Sequence, residues 1–412
     1  MINNKLKICI VTAILPPAYG GAEVAAFKYA VRLNSNPDSQ VIVIGWDRTG
    51  AYGKSDLKYE FVHSVSFREN PKDAKGVLIY FQQMYHMWNC FIALIPVMWK
   101  FRNEYDYVHN FNSGFAFNRV SIFIAKILGK KVITETSLVG DDDPLSLGRF
   151  PGWKDYFKPK YLRYLFYKMA DRYVSKSEVI TEIFKKSEIP MNKVVQIPYS
   201  VDIEKFKPME FNEKRKLRKN LGVWEDGEII LFVGGINIRK GVHLLVDAFM
   251  SAEKDFNGLK LLIVGPTYKY DQKYINDIKE KIASANMGDK IILTEKNVTN
   301  VNDYMQCSDI FVLPSKQEGF PISIIEAMSC GLTVVGSDIP EISKAQINNG
   351  IDGYVFRTGD SDELALVLKK IMNDKESIFR LGKNAREKVI NNWSTEIVDN
   401  SYRKLYESLR NN

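Results

Sequence analysis

Ile310-Phe-Val-Leu-Pro-Ser-Lys-Gln-Glu-Gly-Phe-Pro-Ile-Ser-Ile-Ile-Glu-Ala-Met-Ser-Cys-Gly331 is the stretch on which the fold turns. An apolar, β-prone run gives way at Pro314 to a polar loop. The loop then gives way to a helical pattern with Pro321 placed at a first helical position. Strand, loop and helix in that order make up half of a parallel βαβ unit, and the same alternation runs outward in both directions. Strands are expected at 7–12, 40–46, 107–109, 132–136, 173–175 and 194–199 in the first half. In the second half they are expected at 229–234, 260–264, 290–293, 310–314, 333–336 and 354–356. Both halves therefore read as doubly wound α/β sheets.

The length agrees with two cores. A chain of 412 residues exceeds what one hydrophobic core usually organises. Two prolines, Pro198 and Pro208, bracket an extended segment before a charged helical pattern, and the boundary is placed there: 1–200 and 201–391, with a last helix at about 392–412. Hydrophobic and charged fractions of 45% and 26% are those of an ordinary folded protein.

The segment before residue 8 lacks the apolar core of an export signal, and the longest apolar stretch, 87–99, is too short to span a bilayer. Cys9, Cys90, Cys307 and Cys330 are scattered without a paired spacing, so a reducing, cytoplasmic setting is expected. The formal charge of +8 lies in the first half, where residues 1–200 hold 27 Lys and Arg against 18 Asp and Glu; residues 201–412 hold 30 against 31. Between Arg149 and Lys176, eight bases are interleaved with aromatic residues. Such a stretch fits an anionic membrane surface, and fits equally a solvated helix face with its rings turned to the core. No nucleic-acid module is recognisable, so nucleic acid is not an expected partner.

Chemistry in open parallel sheets sits in loops after strands. Glu318 and Glu326 stand eight residues apart, one in the loop and one over a turn into the helix, where they can line different ends of an elongated ligand. Between them the free N–H groups of Ile322 and Ser323 point from the helix start toward an anion. A sugar on a nucleoside diphosphate fits this layout, although a glutamate pair on a solvated loop would have the same spacing. After the first strand of the second half comes Gly234-Gly-Ile-Asn-Ile-Arg-Lys-Gly241, in which glycines let the backbone approach a ligand and Arg239 and Lys240 enter a helix. Gly20-Gly21-Ala-Glu23 follows the first strand of the chain, and the dinucleotide fingerprint G-x-G-x-x-G is absent there.

These motifs resemble those of the retaining glycosyltransferases of the GT-B fold, in particular the large GT4 family, whose E-x7-E motif is matched by Glu318 and Glu326. The resemblance implies two Rossmann-like domains facing across a cleft, an N-terminal acceptor domain and a C-terminal donor domain. It places the donor ribose on Glu326 and the sugar near Glu318. Arg239 and Lys240 would neutralise the departing diphosphate, with Gly20, Gly21, Gly235, Phe320, Pro321, Ile322 and Ser323 lining the donor. The last helix would cross back onto the first domain, with Trp393 and Tyr402 as packing anchors.

Many relatives carry a histidine near the acceptor where this chain reads Val132 to Pro144 without one. His109, Glu135, Thr136 and Asp142 are the acceptor-side candidates instead. Asp141-Asp142-Asp143 has the D-x-D spacing of metal-nucleotide sites in another fold, but the second half carries the donor motifs, so no metal or other cofactor is expected. The resemblance implies transfer, with retention, from a nucleotide diphosphate sugar to a saccharide hydroxyl, for which a lipid-linked acceptor at the inner face of the plasma membrane is suitable. A nucleotide-sugar 2-epimerase on the same fold and a non-catalytic glycan- or nucleotide-binding subunit are the alternatives.

Overall fold

The computed structural model describes residues 5–15, 21–47, 52, 59–66, 78–111, 114–140, 143–147, 159–256, 258–268 and 271–410. The chain divides into two compact units, Met1–Pro198 with Ser401–Asn412, and Tyr199–Asn400.

The first unit contains β1 (Leu6–Thr12), α1 (Gly21–Asn34), β2 (Ser39–Trp46), β3 (Val62–Val65), α2 (Leu78–Lys100), β4 (Tyr107–Phe111), α3 (Ala116–Ile127), β5 (Lys131–Thr136), α4 (Pro144–Leu147), α5 (Pro159–Lys168), β6 (Arg172–Ser175), α6 (Glu178–Lys185) and β7 (Val194–Gln196). Its sheet has the order β3-β2-β1-β4-β5-β6-β7. Every pairing is parallel, with Cys9 opposite both Ile42 and Val108. Strands covered on both faces have no need to alternate, and Ile8, Cys9, Ile10 and Val11 are all buried in sequence.

The second unit contains α7 (Phe211–Leu221), β8 (Ile229–Val233), α8 (Val242–Glu253), β9 (Lys260–Val264), α9 (Gln272–Ser284), β10 (Ile291–Leu293), α10 (Val301–Gln306), β11 (Ile310–Leu313), α11 (Ile322–Ser329), β12 (Thr333–Ser337), α12 (Pro340–Ser343), β13 (Tyr354–Phe356), α13 (Ser361–Asn373) and α14 (Lys375–Trp393). Its parallel sheet has the order β10-β9-β8-β11-β12-β13. Local chemistry sets the ends of its helices. Asp360 caps α13 by accepting the N–H groups of Asp362 and Glu363, and Gly222 closes α7 in the left-handed conformation. The last helix, α15 (Thr395–Arg410), begins in the second unit and from Ser401 onward belongs to the first.

The structure corrects the sequence reading in several places. The edge strand β3 was not expected, because it is four residues long and carries His63 and Ser64 at its centre. β7 stops at Gln196 instead of reaching 199, since Pro198 has no N–H to give a ladder. Pro321 is the N-cap of α11, one place before the first helical position. β4 runs on to Phe111, past the expected end at 109, so His109 lies in its middle.

That last placement creates a buried polar cluster in the first unit. His109, Glu135, Lys176 and Tyr406 have no exposed surface, and Tyr402 is nearly as enclosed. Lys176 Nζ is 2.6 Å from Glu135 Oε2 and donates to the Tyr402 hydroxyl at 2.6 Å. Tyr402 in turn donates to Glu135 Oε1, which also lies 3.0 Å from His109 Nε2. The other ring nitrogen of His109 is 2.6 Å from the Tyr406 hydroxyl. A neutral histidine donating from Nε2 and accepting at Nδ1 satisfies every contact. Burial pushes His109 below its ordinary value, while for Glu135 burial is outweighed by Lys176 and the histidine, which hold its carboxyl down. The cluster ties the end of α15 to β4, β5 and Lys176 after β6.

Removing one member of such a pair leaves a buried charge uncompensated, so Lys176→Met is expected to cost about 3–5 kcal/mol of stability. The double variant Lys176→Met/Glu135→Leu should recover much of that loss in thermal or urea unfolding. Because the folded carboxyl of Glu135 titrates below its unfolded value, its stabilisation is present above the unfolded value. It should fade as pH falls through the folded one.

Candidate active site

Strand order in the second sheet reverses between β8 and β11: successive strands after β8 step to one side, and those after β11 to the other. The loops leaving the carboxyl ends of these two neighbours flank the switch point, where open parallel sheets bind ligands. The loop after β8 carries Gly235, Arg239 and Lys240; the loop after β11 carries Glu318.

The loop after β8 is tightly built. Gly234 N–H donates to Val264 O and Ile236 N–H to Pro266 O, which binds the loop to the segment after β9. Gly235 sits against Tyr268, whose ring carbon would lie 3.0 Å from any Cβ added there. Asn237 Oδ1 accepts the Lys240 N–H at 3.1 Å and caps a short 3-10 turn, Ile238–Lys240. Gly241 ends that turn with φ at 69°, and a Cβ would drive into the carbonyl oxygen of Pro314. Two further bonds join the loops: Lys316 N–H donates to Arg239 O at 2.9 Å, and the Arg239 guanidinium to Gln317 O at 2.5 Å.

This docking brings the predicted charges together. Lys240 Nζ donates to Glu318 Oε1 at 2.6 Å, and Arg239 Nη1 lies 3.5 Å from the same oxygen. Burial alone would raise the Glu318 carboxyl; Lys240 and then Arg239 reverse that and hold it below its ordinary value. The Arg239 side chain stays 39% exposed and that of Lys240 15%, so the cations keep an open side. Ile322 and Ser323, half-buried, form the first turn of α11, where N–H groups lack intrahelical acceptors. Glu326 is buried one turn further along. The arrangement can hold an anionic group against two cations and a helix start, beside a carboxylate fixed in position.

Other predicted residues fall elsewhere. Phe320 is buried and packs edge-on against Tyr199 and Trp393, with ring centroids 6.3 and 5.7 Å away. Pro321 is buried too, and its carbonyl accepts Gln346 Nε2 at 3.0 Å, which pins the start of α11. Gly21 opens α1, and no described residue lies within 4 Å of where its Cβ would be. Gly20, Asp141 and Asp142 lie outside the described residues. His109, Glu135 and Thr136 are wholly buried, Thr136 against the Tyr167 hydroxyl at 3.1 Å, and as placed they meet no solvent. Tyr402 belongs to the same cluster, so it is a polar partner as well as a packing anchor.

Sequence reading missed Glu341, buried in α12 after β12. Burial raises its carboxyl, as does the nearby Glu318. Its only sequence signal is position, an acid in the loop after the next central strand.

Residues 213–388 match the family described as Glycosyl transferases group 1. N-acetyl-alpha-D-glucosaminyl L-malate synthase of Bacillus anthracis is 27% identical over 217 residues, 52% of this chain and 54% of that protein. N,N'-diacetylbacillosaminyl-diphospho-undecaprenol alpha-1,3-N-acetylgalactosaminyltransferase of Campylobacter jejuni is 27% identical over 251 residues, 60% of this chain and 63% of that protein. The match thus spans little more than half the length of these relatives. The crystal structure of Anabaena HepE in complex with UDP and glucose superposes with a TM-score of 0.76 at 17% identity, covering 98% of this chain and 100% of that one. At that identity the likeness concerns the fold, which is GT-B.

Gly241→Ala tests the docking of the two loops. The left-handed backbone alone should cost about 1–2 kcal/mol, and the clash with Pro314 adds to it. Thermal unfolding of the second unit should fall accordingly, whereas Gly21→Ala should leave stability within about 0.5 kcal/mol.

Proposed function

We propose, from the premise that this chain carries a group 1 glycosyltransferase domain in residues 213–388, that it transfers a sugar from a nucleoside diphosphate to a saccharide hydroxyl with retention at the anomeric carbon. The observation that carries this reading is the Glu318 carboxylate bonded to Lys240 at 2.6 Å and flanked by Arg239, at the strand-order switch and beside the start of α11. In the step envisaged, the bond from the anomeric carbon to the diphosphate oxygen breaks as the acceptor oxygen bonds to the same face. The acceptor proton passes to the leaving diphosphate. Negative charge grows on that leaving group, and preorganised cations are worth most where charge develops. Arg239, Lys240 and the Ile322 and Ser323 N–H groups supply that charge, so the reading calls for no metal.

Glu318 holds the two cations in place before the donor arrives and fixes the sugar end. Glu326 is assigned to the ribose, and Gly235 to the close passage of backbone past the donor. The HepE structure holds UDP and glucose, and the Campylobacter relative is named for a diphospho-undecaprenol saccharide. The first favours a uridine nucleotide donor and the second a lipid-linked saccharide acceptor.

The test is incubation with a panel of nucleoside diphosphate sugars and lipid-linked or short saccharide acceptors, with the product's anomeric configuration read by NMR. Transfer with retention, unaffected by chelator, is expected. Lys240→Met and Glu318→Gln should each lower kcat by roughly 10²–10³. Isomerised donor without any acceptor would make the protein an epimerase, and donor binding without turnover a binding subunit; either result sinks the reading.

A further inference from the structure

α2 is 23 residues long, about 34 Å, and carries two apolar stripes, with Gln82, His86 and Asn89 on one side between them. Met87, Cys90, Leu94 and Met98 form one stripe, buried in the core of the first unit. A second stripe, Phe81, Tyr85, Trp88, Ile92, Ile95 and Trp99, faces outward; Phe81 is 70% exposed, Ile92 69% and Trp88 60%. Soluble surfaces rarely expose a contiguous apolar stripe of this extent. The stripe continues sideways into a groove of about 420 Å³ between α2 and α3, lined without polar surface by Trp88, Phe91, Ile95 and Trp99 on one wall and by Phe123 and Ile127 on the other.

Charge gathers at one end of this face. α2 and α3 both end where strands β1, β4 and β5 begin, which brings Lys5, Lys100, Arg102, Lys130, Lys131 and Arg410 to the same edge, against Asp38, Glu104 and Asp106. The Arg102 guanidinium lies 4.5 Å from the centre of the Trp99 ring, so the basic edge and the aromatic stripe are continuous. α2 itself carries no acidic residue.

We infer that this face docks on an anionic lipid bilayer, with the stripe in the headgroup–acyl boundary and the groove covered by hydrocarbon chains. Trp, Tyr and Phe are the side chains that favour that boundary, and four of the six outward residues are of those types. The basic edge supplies the attraction to anionic headgroups. A second copy of the chain is the competing occupant, since the spacing of four and three residues also fits a helix pair. A helix pair, however, places small branched residues at the seam and charges beside it, and Lys100 is the sole Lys, Arg, Asp or Glu in α2. Among the described residues no helix is long and apolar enough to cross a membrane, so the contact is lateral.

Of the basic and aromatic stretch 149–176, residues 149–158 lie outside the described residues. In the described part of that stretch Tyr164, Tyr167 and Tyr173 are buried, and Lys168 pairs with Glu188 and Lys176 with Glu135. The docking inference rests on the surface and not on the transfer reaction, so each can fail alone.

The experiment uses the full chain and vesicles of phosphatidylcholine with and without about 30 mol% phosphatidylglycerol. Expected are co-sedimentation with the anionic vesicles, a blue shift of tryptophan emission, and a loss of roughly tenfold or more in partition for Trp88→Glu/Ile92→Glu. That variant should keep the parent's melting temperature and its activity on a short soluble acceptor, because its positions are exposed and remote in sequence from the donor motifs. Three results would overturn the inference: no partition of the parent, partition that the variant leaves unchanged, or a dimer seen by light scattering that the variant splits. Equal binding to neutral vesicles would overturn the role given to the basic edge.

Discussion

The candidate site in the second unit depends on a close approach, that of Gly241 to the carbonyl of Pro314. Two strands adjacent in a parallel sheet lie about 4.8 Å apart, so the loops that leave them meet only if one passes under the other without a side chain in the way. A residue at φ 69° with no Cβ permits this. Everything charged at the site follows. Arg239 gains two bonds to the neighbouring loop, Lys240 is aimed at Glu318, and the carboxylate is held ionised despite its burial. The strand-order reversal brings the loops side by side, and the glycine brings them into contact.

Much of this was legible in the sequence, for an identifiable reason. Parallel strands covered on both faces must be apolar runs, so β1, β8, β9 and β11 announce themselves, and the post-strand position of Arg239, Lys240 and Glu318 follows from topology. What was not legible depends on contacts made at a distance. β3 is too short and too polar to stand out, Glu341 reaches Glu318 only through the neighbouring strand β12, and Phe320 inside the motif belongs to an aromatic cluster with Tyr199 and Trp393. The apolar run 87–99 was visible. The sequence could not say that its two stripes would be divided, one to the core and one to the outside, because that depends on where α2 lies against the sheet.

Two ion clusters, one in each unit, look alike on paper and differ in one physical respect. Glu135 and Lys176 are enclosed completely, with every polar neighbour a protein group: two tyrosines and a histidine whose hydrogen-bonding capacity is used within the cluster. The cluster joins the end of α15 to β4 and β5. Glu318 and Lys240 are paired as closely, yet Arg239 and Lys240 keep solvent on one side. Cations with part of their hydration intact can exchange water for a phosphate without first breaking a dry network, at a small fraction of the desolvation cost of opening a fully buried pair. The accessible cluster is therefore the one suited to chemistry. His109 and Glu135, the acceptor-side candidates of the sequence, lie inside the enclosed cluster, whereas the donor-side charges lie in the accessible one.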